Sequence, residues 1–308
     1  MHLFPHPIAS WKDWSQLYQS IPSFTPLAEH ILQKEGLPVA PLEHLTPGTN
    51  AVFRVGDYVL KIFAPPESGF NLTLDDLKTE LFSMQRAEKL GVHAPKLIAK
   101  GMIDDKYKFA YMIMEYIEGI EFARAVKTMT DEEKFKFGRT LRSITDTMNT
   151  PCEAFNAIDV IHDKSRQWRW DKFPEQFRKE RLAYIKAHEF GERVFVHGDI
   201  GGDNMILSTD GEIYVIDFAD AVLAPIEYEH ELIAIDVFQF DPALLHGFFG
   251  NYTINELAEL CFNGVLIHDF GGDTIEEHIG KPSELHCLDD LRKRLKQKLD
   301  DKVRGAFA

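Results

Sequence analysis

The residues able to do chemistry gather in one stretch. An apolar run, Val194-Phe195-Val196, delivers His197-Gly198-Asp199 into a loop; Asn204 follows after four intervening residues, and a second apolar run, Val215-Ile216, presents Asp217. Two strand ends lying close would gather three oxygen-bearing side chains around one cavity. Asp217 and Asn204 are hard oxygen donors of the kind Mg²⁺ takes. Asp199 is then free to orient a hydroxyl and accept its proton. Phosphoryl transfer needs that division of labour: a metal against phosphate charge, and a held nucleophile. Turn capping is the bland alternative for all three. A second candidate is Lys61, a charge set inside the apolar run Tyr58-Val-Leu-Lys-Ile-Phe; Glu80 and Glu88 both fall in the helical stretch that follows.

The elements that must position these groups fall into two kinds. Ala51–Val55 and Tyr58–Phe63 are β-rich runs separated by Gly56-Asp57, a hairpin signal. A turn-rich loop, Thr46-Pro-Gly-Thr-Asn50, precedes them. A capped helix is expected over 73–90, closed by Gly91, and strands over 96–101 and 109–116. Beyond Gly119 the pattern is helical over 131–149, 173–189, 227–240, 253–268 and 284–304, with short strands only at 194–196 and 213–216. Residues 1–40 read as a helical lead-in, with Trp11, Trp14, Leu17 and Tyr18 as a packing stripe. The expected organisation is therefore an extension over 1–40, a strand-rich lobe over 41–116 and a mostly helical lobe over 117–308.

The order of these parts resembles the aminoglycoside phosphotransferase family of the kinase-like superfamily. Its HGDxxxxN loop matches His197-Gly198-Asp199 to Asn204, and its metal-binding Asp matches Asp217. The resemblance implies a two-lobed α+β kinase-like fold, an antiparallel sheet plus helix followed by a helical lobe, with ATP and Mg²⁺ as cofactors. Asp199 would be the base, and Asn204 and Asp217 would hold Mg²⁺. Lys61 would contact the phosphates, with Glu80 as its ion-pair partner. Met114-Glu115-Tyr116-Ile117 resembles the hinge whose backbone, at Glu115 and Ile117, binds adenine. Asp217-Phe-Ala-Asp220 and Tyr228-Glu229 look most like the hygromycin phosphotransferase branch, with Glu229 bracing the catalytic loop. Protein kinases carry Arg where this chain has Gly198, and only eleven residues separate Asp217 from Glu229, too few for a long peptide-docking loop.

Several departures and decoys bear on this reading. No GxGxxG precedes Lys61, Ala219 stands where protein kinases have glycine, and Ala224-Pro225 stands where relatives commonly carry a glycine. A literal Asp269-Phe270-Gly271 occurs later but is expected to follow a helix, so Asp217 is preferred as the metal Asp. His162-Asp163 and His268-Asp269 are about what chance supplies, and GxxxxGK[ST] and GxSxG are absent.

Charge sharpens the expected acceptor. The 308-residue chain carries 34 Lys and Arg against 49 Asp and Glu, a net charge of −15, which argues against nucleic acid or an anionic membrane as partner. Residues 191–280 hold eighteen acids and one basic residue, Arg193. A cationic small-molecule acceptor is therefore expected: an aminoglycoside or another amino-bearing alcohol. A metabolic kinase of choline, an amino alcohol or a sugar is the alternative, and an idle nucleotide-binding module a more distant one. Three scattered cysteines, no leader pattern and no long apolar run lead to the expectation of a reducing, cytoplasmic setting.

Overall fold

Every second residue of Ala51-Val-Phe-Arg-Val55 is buried, the period of a strand covered on one face. That strand pairs antiparallel with Tyr58–Ile62 through a turn at Gly56, whose φ of 60° needs no side chain in the way. The computed structural model describes residues 2–69, 73–162 and 167–305. It divides into two compact units, residues 1–88 with 93–119, and residues 89–92 with 120–308.

In the first unit α1 (Trp11–Leu17) and α2 (Ile21–Lys34) precede a five-stranded sheet. Its strands are β1 (Leu42–His44), β2 (Ala51–Val55), β3 (Tyr58–Ile62), β4 (Leu97–Asp104) and β5 (Lys108–Glu115), in the spatial order β1-β2-β3-β5-β4, every neighbour antiparallel. Helix α3 (Thr73–Leu90) lies between β3 and β4 in the chain. The first 34 residues are no loose leader. Phe4, Trp14, Phe24, Leu27 and Ile31 share one core with Phe53, Leu60, Ile62, Phe109, Tyr111 and Ile113 of the sheet. Fully burying each such side chain contributes roughly 1.5–3 kcal/mol. Trp11, by contrast, is exposed. Because Leu60 and Ile62 face that core, strand alternation turns Lys61 to the opposite face.

The second unit carries β6 (Gly119–Glu121), α4 (Phe122–Ala125), α5 (Asp131–Met148), α6 (Glu175–Ala187), β7 (Arg193–Val196), β8 (Met205–Ser208), β9 (Ile213–Val215) and β10 (Val222–Pro225). After them come α7 (Glu227–Leu232), α8 (Pro242–Phe249), α9 (Ile254–Ile267), α10 (Gly271–Thr274) and α11 (Leu288–Gly305). Strands β7 and β10 pair antiparallel, and a three-stranded sheet has the order β6-β8-β9. Full capping boxes, Thr130 with Glu133 and Thr253 with Glu256, start α5 and α9.

The helix expected over 227–240 is interrupted. Helix α7 ends at Leu232, a π-helical turn runs Ile233–Val237, and Gln239 and Phe240 turn left-handed at φ 48° and 59°. The next helix, α8, has no counterpart among the expected ones: Asp241 caps it and Pro242 begins it. The expected start of the last helix at 284 falls instead at Leu288, with a 3₁₀ turn at Pro282–Glu284. Among the described residues no helix is long and apolar enough to cross a membrane.

Candidate active site

Each unit holds one group of the singled-out residues. In the first, Lys61 on β3 donates from Nζ to Glu80 Oε2 on α3, 2.8 Å away, and both side chains are almost wholly buried. Glu88, about two turns further along the same helix, is exposed. The loop between β1 and β2 is held from two sides. The Trp14 indole N–H donates to the Thr49 carbonyl at 2.9 Å, and buried Asn50 accepts from the Ala64 amide at 3.1 Å. At the end of β5, Glu115 bonds through its amide to Lys96 and Tyr116 to the Asp57 carbonyl. Ile117 follows with its side chain buried.

In the second unit β7 ends in the loop His197–Asn204. His197 is fully buried. Its Nδ1 accepts from the Asp199 amide at 3.3 Å, so Nε2 carries the proton and donates to the Ile216 carbonyl at 3.0 Å. That bond ties the Asp199 loop to the residue before Asp217. Asn204 adds a second tie, because its carbonyl accepts from the Ile216 amide at 3.0 Å. Its side-chain Nδ2 donates to the Asp199 carbonyl at 2.7 Å and to Asp199 Oδ2 at 3.1 Å. The amide oxygen of Asn204 is thereby turned away from Asp199. Asp217 itself is left-handed, φ 60° and ψ 66°, at the exit of β9. Asp203, beside Asn204, is exposed and sits in a 3₁₀ turn.

Gly198 has φ 83°, and a Cβ there would run into the Asp220 carbonyl. The loop therefore needs glycine at this place. From below, Glu229 on α7 accepts from the amides of His197 and Gly198, while its other oxygen accepts from Asn149 Nδ2 at 2.9 Å. Glu229 is wholly buried, and burial pushes its carboxyl up to about 7 against those donors.

The electrostatics single out Asp199. Burial, then the negative charges of Asp220 and Asp217, raise it to about 7, with the Asn204 bond opposing and Asp236 adding a smaller push. Like charges crowded together disfavour ionisation of one of them. A divalent cation among Asp217, Asp199 and the Asn204 amide oxygen would relieve that repulsion, and all the donor atoms are hard oxygens, so the residues present fit Mg²⁺.

Sequence reasoning passed over four contributors. Asn149 caps the end of α5 and holds both the Phe195 carbonyl and Glu229. His268, fully buried and held neutral by burial at about 3, accepts from the Phe270 amide at Nδ1 and donates from Nε2 to the Gly198 carbonyl at 3.2 Å. Tyr228 lies against it with ring centroids 4.1 Å apart. Trp14 is the fourth. None has a local signature, because each acts through a contact distant in sequence. Asp269, the decoy, follows α9 as expected; it pairs with Arg169 at 3.7 Å and its amide donates to the Tyr228 hydroxyl. His162 is exposed against Asp159, and Asp163 lies outside the described residues.

The acidic segment is partly spent within the protein. Lys172 pairs with Asp273 and Glu276, Asp236 pairs with His278 at 2.8 Å, and Glu231 is buried with its carboxyl raised well above the usual range by burial. Asp220 lies near enough to Asp199 to push its carboxyl up.

A strand-rich unit with a buried Lys–Glu pair and a second unit with an HGDxxxxN loop facing an Asp after a short hairpin define a phosphotransferase of kinase-like fold. Residues 46–262 match the phosphotransferase enzyme family, and the chain belongs to it. Among solved structures it resembles the GDP and kanamycin complex of APH(2")-IIia, at 13% identity and a TM-score of 0.56, over 92% of this chain and 99% of that one. The ADP-bound aminoglycoside phosphotransferase APH(2")-Ib is similar at 16% identity and a TM-score of 0.54, over 89% and 98%. So is the choline kinase LicA from Streptococcus pneumoniae, at 17% identity and a TM-score of 0.55, over 89% and 99%. No curated protein sequence matches.

Proposed function

We propose that this phosphotransferase moves the γ-phosphoryl group of ATP to a hydroxyl of a small amino-bearing alcohol. The observation that carries the reading is the half-buried Asp199 carboxyl, close to Asp217 and Asp220 and held by Asn204. In the reaction the acceptor oxygen forms a bond to the γ-phosphorus, the bond from that phosphorus to the β-bridging oxygen breaks, and ADP leaves. Asp199 orients the acceptor hydroxyl and takes its proton. Asn204 and Asp217 would hold Mg²⁺, which supplies neutralisation of phosphate charge. Lys61, fixed by Glu80, contacts the phosphates. The backbone of Glu115 and Ile117 takes the adenine edge. Glu229 and His197 hold the loop so that Asp199 is in place before substrate arrives.

The acceptor class rests on charge. Asp220 and Asp217, and more weakly Asp236, crowd negative charge on Asp199, which favours an ammonium-bearing alcohol. Two solved relatives name such ligands or activities, kanamycin and choline kinase. The test is an ATP-consumption screen over aminoglycosides, amino alcohols, sugars and nucleosides, run with wild type and Asp199→Asn. Turnover with an amino-bearing alcohol, abolished in the variant, supports the reading. A best acceptor without an amino group, or turnover indifferent to Asp199, overturns it.

A further inference from the structure

Two motifs that the phosphotransferase reading does not use, His268-Asp269 and Asp269-Phe270-Gly271, overlap in one tight turn at the end of α9. The turn closes through the Gly271 amide, which donates to the His268 carbonyl at 3.1 Å. A Cβ at Gly271 would collide with the Val265 carbonyl, so only glycine lets the chain fold back on the helix there. Asp269 pairs with Arg169, and its amide donates to the Tyr228 hydroxyl at 3.2 Å. The Phe270 amide donates to His268 Nδ1 at 3.1 Å, and Tyr228 lies against the imidazole. With Nδ1 engaged as an acceptor, the ring proton is on Nε2, which donates it to the Gly198 carbonyl at 3.2 Å.

That carbonyl belongs to the peptide group joining Gly198 to Asp199. The other end of the same group, the Asp199 amide, donates to His197 Nδ1 at 3.3 Å. One peptide plane is thus gripped by two buried imidazoles, one accepting and one donating. The peptide group before it is held too, by the Gly198 amide on Glu229. Gly198, at φ 83°, has a wide choice of backbone conformation, so its geometry has to be supplied from outside. Fixing the plane between Gly198 and Asp199 sets the direction in which the Asp199 carboxyl projects.

Resting on the phosphotransferase reading above, we propose that His268 is a positioning residue for Asp199. Through the Gly198 carbonyl it fixes the peptide plane from which the base is aimed. Asp269, Phe270 and Gly271 hold its ring in place and in the donating tautomer. A base must meet its hydroxyl within hydrogen-bond reach, and a misplacement of about 1 Å costs about 10²-fold. The titratable or charged groups about the ring are Glu231, whose Oε1 lies 3.9 Å from Nδ1, Tyr228, and the neighbouring Asp269. At longer range Asp236 and Arg169 act on it in opposite directions.

Two variants separate aiming from packing. His268→Phe keeps a ring against Tyr228 and removes the donor. His268→Gln brings an amide N–H close to the position of Nε2. In His268→Phe kcat is expected to fall about 10- to 10²-fold, with KM for ATP near wild type. His268→Gln is expected to recover most of that loss, even with a lowered Tm. Wild-type kcat in His268→Phe, or no recovery in a folded His268→Gln, overturns the proposal. The ring ¹⁵N shifts of His268 in the wild-type protein need no variant. The Nε2–H tautomer is expected, with no titration from about pH 5 to about pH 8. An Nδ1–H ring, or one that titrates in that window, overturns the proposal as well. Absence of ATP turnover on every acceptor sinks the phosphotransferase reading itself, whereas turnover that ignores His268 sinks only the positioning role.

Discussion

Trp14, in the first helix, donates its indole N–H to the carbonyl of Thr49, in the loop that leads into the strand opposite Lys61. The first helix thus holds the loop that, on the proposed reading, would lie over the nucleotide phosphates. Trp14→Phe keeps an aromatic ring in the core and removes only that donor. A single hydrogen bond is worth about 1 kcal/mol, so KM for ATP is expected to rise about fivefold. KM for the acceptor should stay near wild type. Initial-rate kinetics in both substrates check this; a lowered Tm with unchanged ATP KM would reduce Trp14 to a packing residue.

Lys61 and Glu80 are buried together, and the consequence of separating them is asymmetric. Glu80→Gln leaves the ammonium without its carboxylate and is expected to destabilise the fold by about 3 kcal/mol. Replacing both, Lys61→Met with Glu80→Leu, is expected to restore much of that stability while activity stays lost. Urea unfolding of the two variants separates a structural pair from a functional one. Full activity in the double variant would remove Lys61 from phosphate contact.

At the catalytic loop, Asp199→Asn is expected to lower kcat by at least ~10²-fold, the range for loss of a general base, with the Tm near wild type. The companion pair is Asp217→Asn and Asp269→Asn. The first should raise the Mg²⁺ concentration needed for half-maximal rate; the second should leave it alone, because Asp269 is engaged with Arg169. A Mg²⁺ dependence lost at Asp269 and retained at Asp217 would place the metal elsewhere.

His230 is a site of acid sensitivity. Its ring packs edge-on against Phe248 and Phe249, and burial lowers its pKa from 6.5 to about 3. The unfolded chain binds a proton there that the folded one refuses, so the neutral ring's contribution is complete above 6.5 and drains as the pH falls towards about 3. The loss approaches ~1.4 kcal/mol per pH unit inside that window. His230→Leu is expected to flatten the stability profile by about one proton between about pH 6 and about pH 4. Unfolding free energies across that interval check it, and an unchanged slope would show that the ring titrates in the folded protein.

What could be read from the chain alone divides along a physical line. That Asp199, Asn204 and Asp217 come together was legible because one loop and one hairpin gather them, and sequence records that spacing directly. The Lys61–Glu80 pair was legible because a charge inside an apolar strand is conspicuous and the family resemblance pointed to Glu80 on the following helix. Asn149, His268 and Trp14 were not: Asn149 reaches across 46 and 80 residues, His268 across 70 and Trp14 across 35. The break after Leu232 was hidden as well. Ile233–Val237 has helical composition, and its π-helical turn is imposed by packing rather than by a Gly or Pro. Helix α8 was missed because Pro242 and the glycines Gly247 and Gly250 read as loop, whereas Gly247 serves close packing against the Phe135 backbone.

The left-handed Gly198, pressed on the Asp220 carbonyl, also limits where this chain can go in evolution. The protein-kinase loop carries arginine at the matching place. A lone Gly198→Arg change would meet the backbone of the turn after Asp217 before any compensating shift had arisen. Any side chain at this place therefore requires the turn at 218–221 to move as well, so a change at Gly198 is a change at two segments at once.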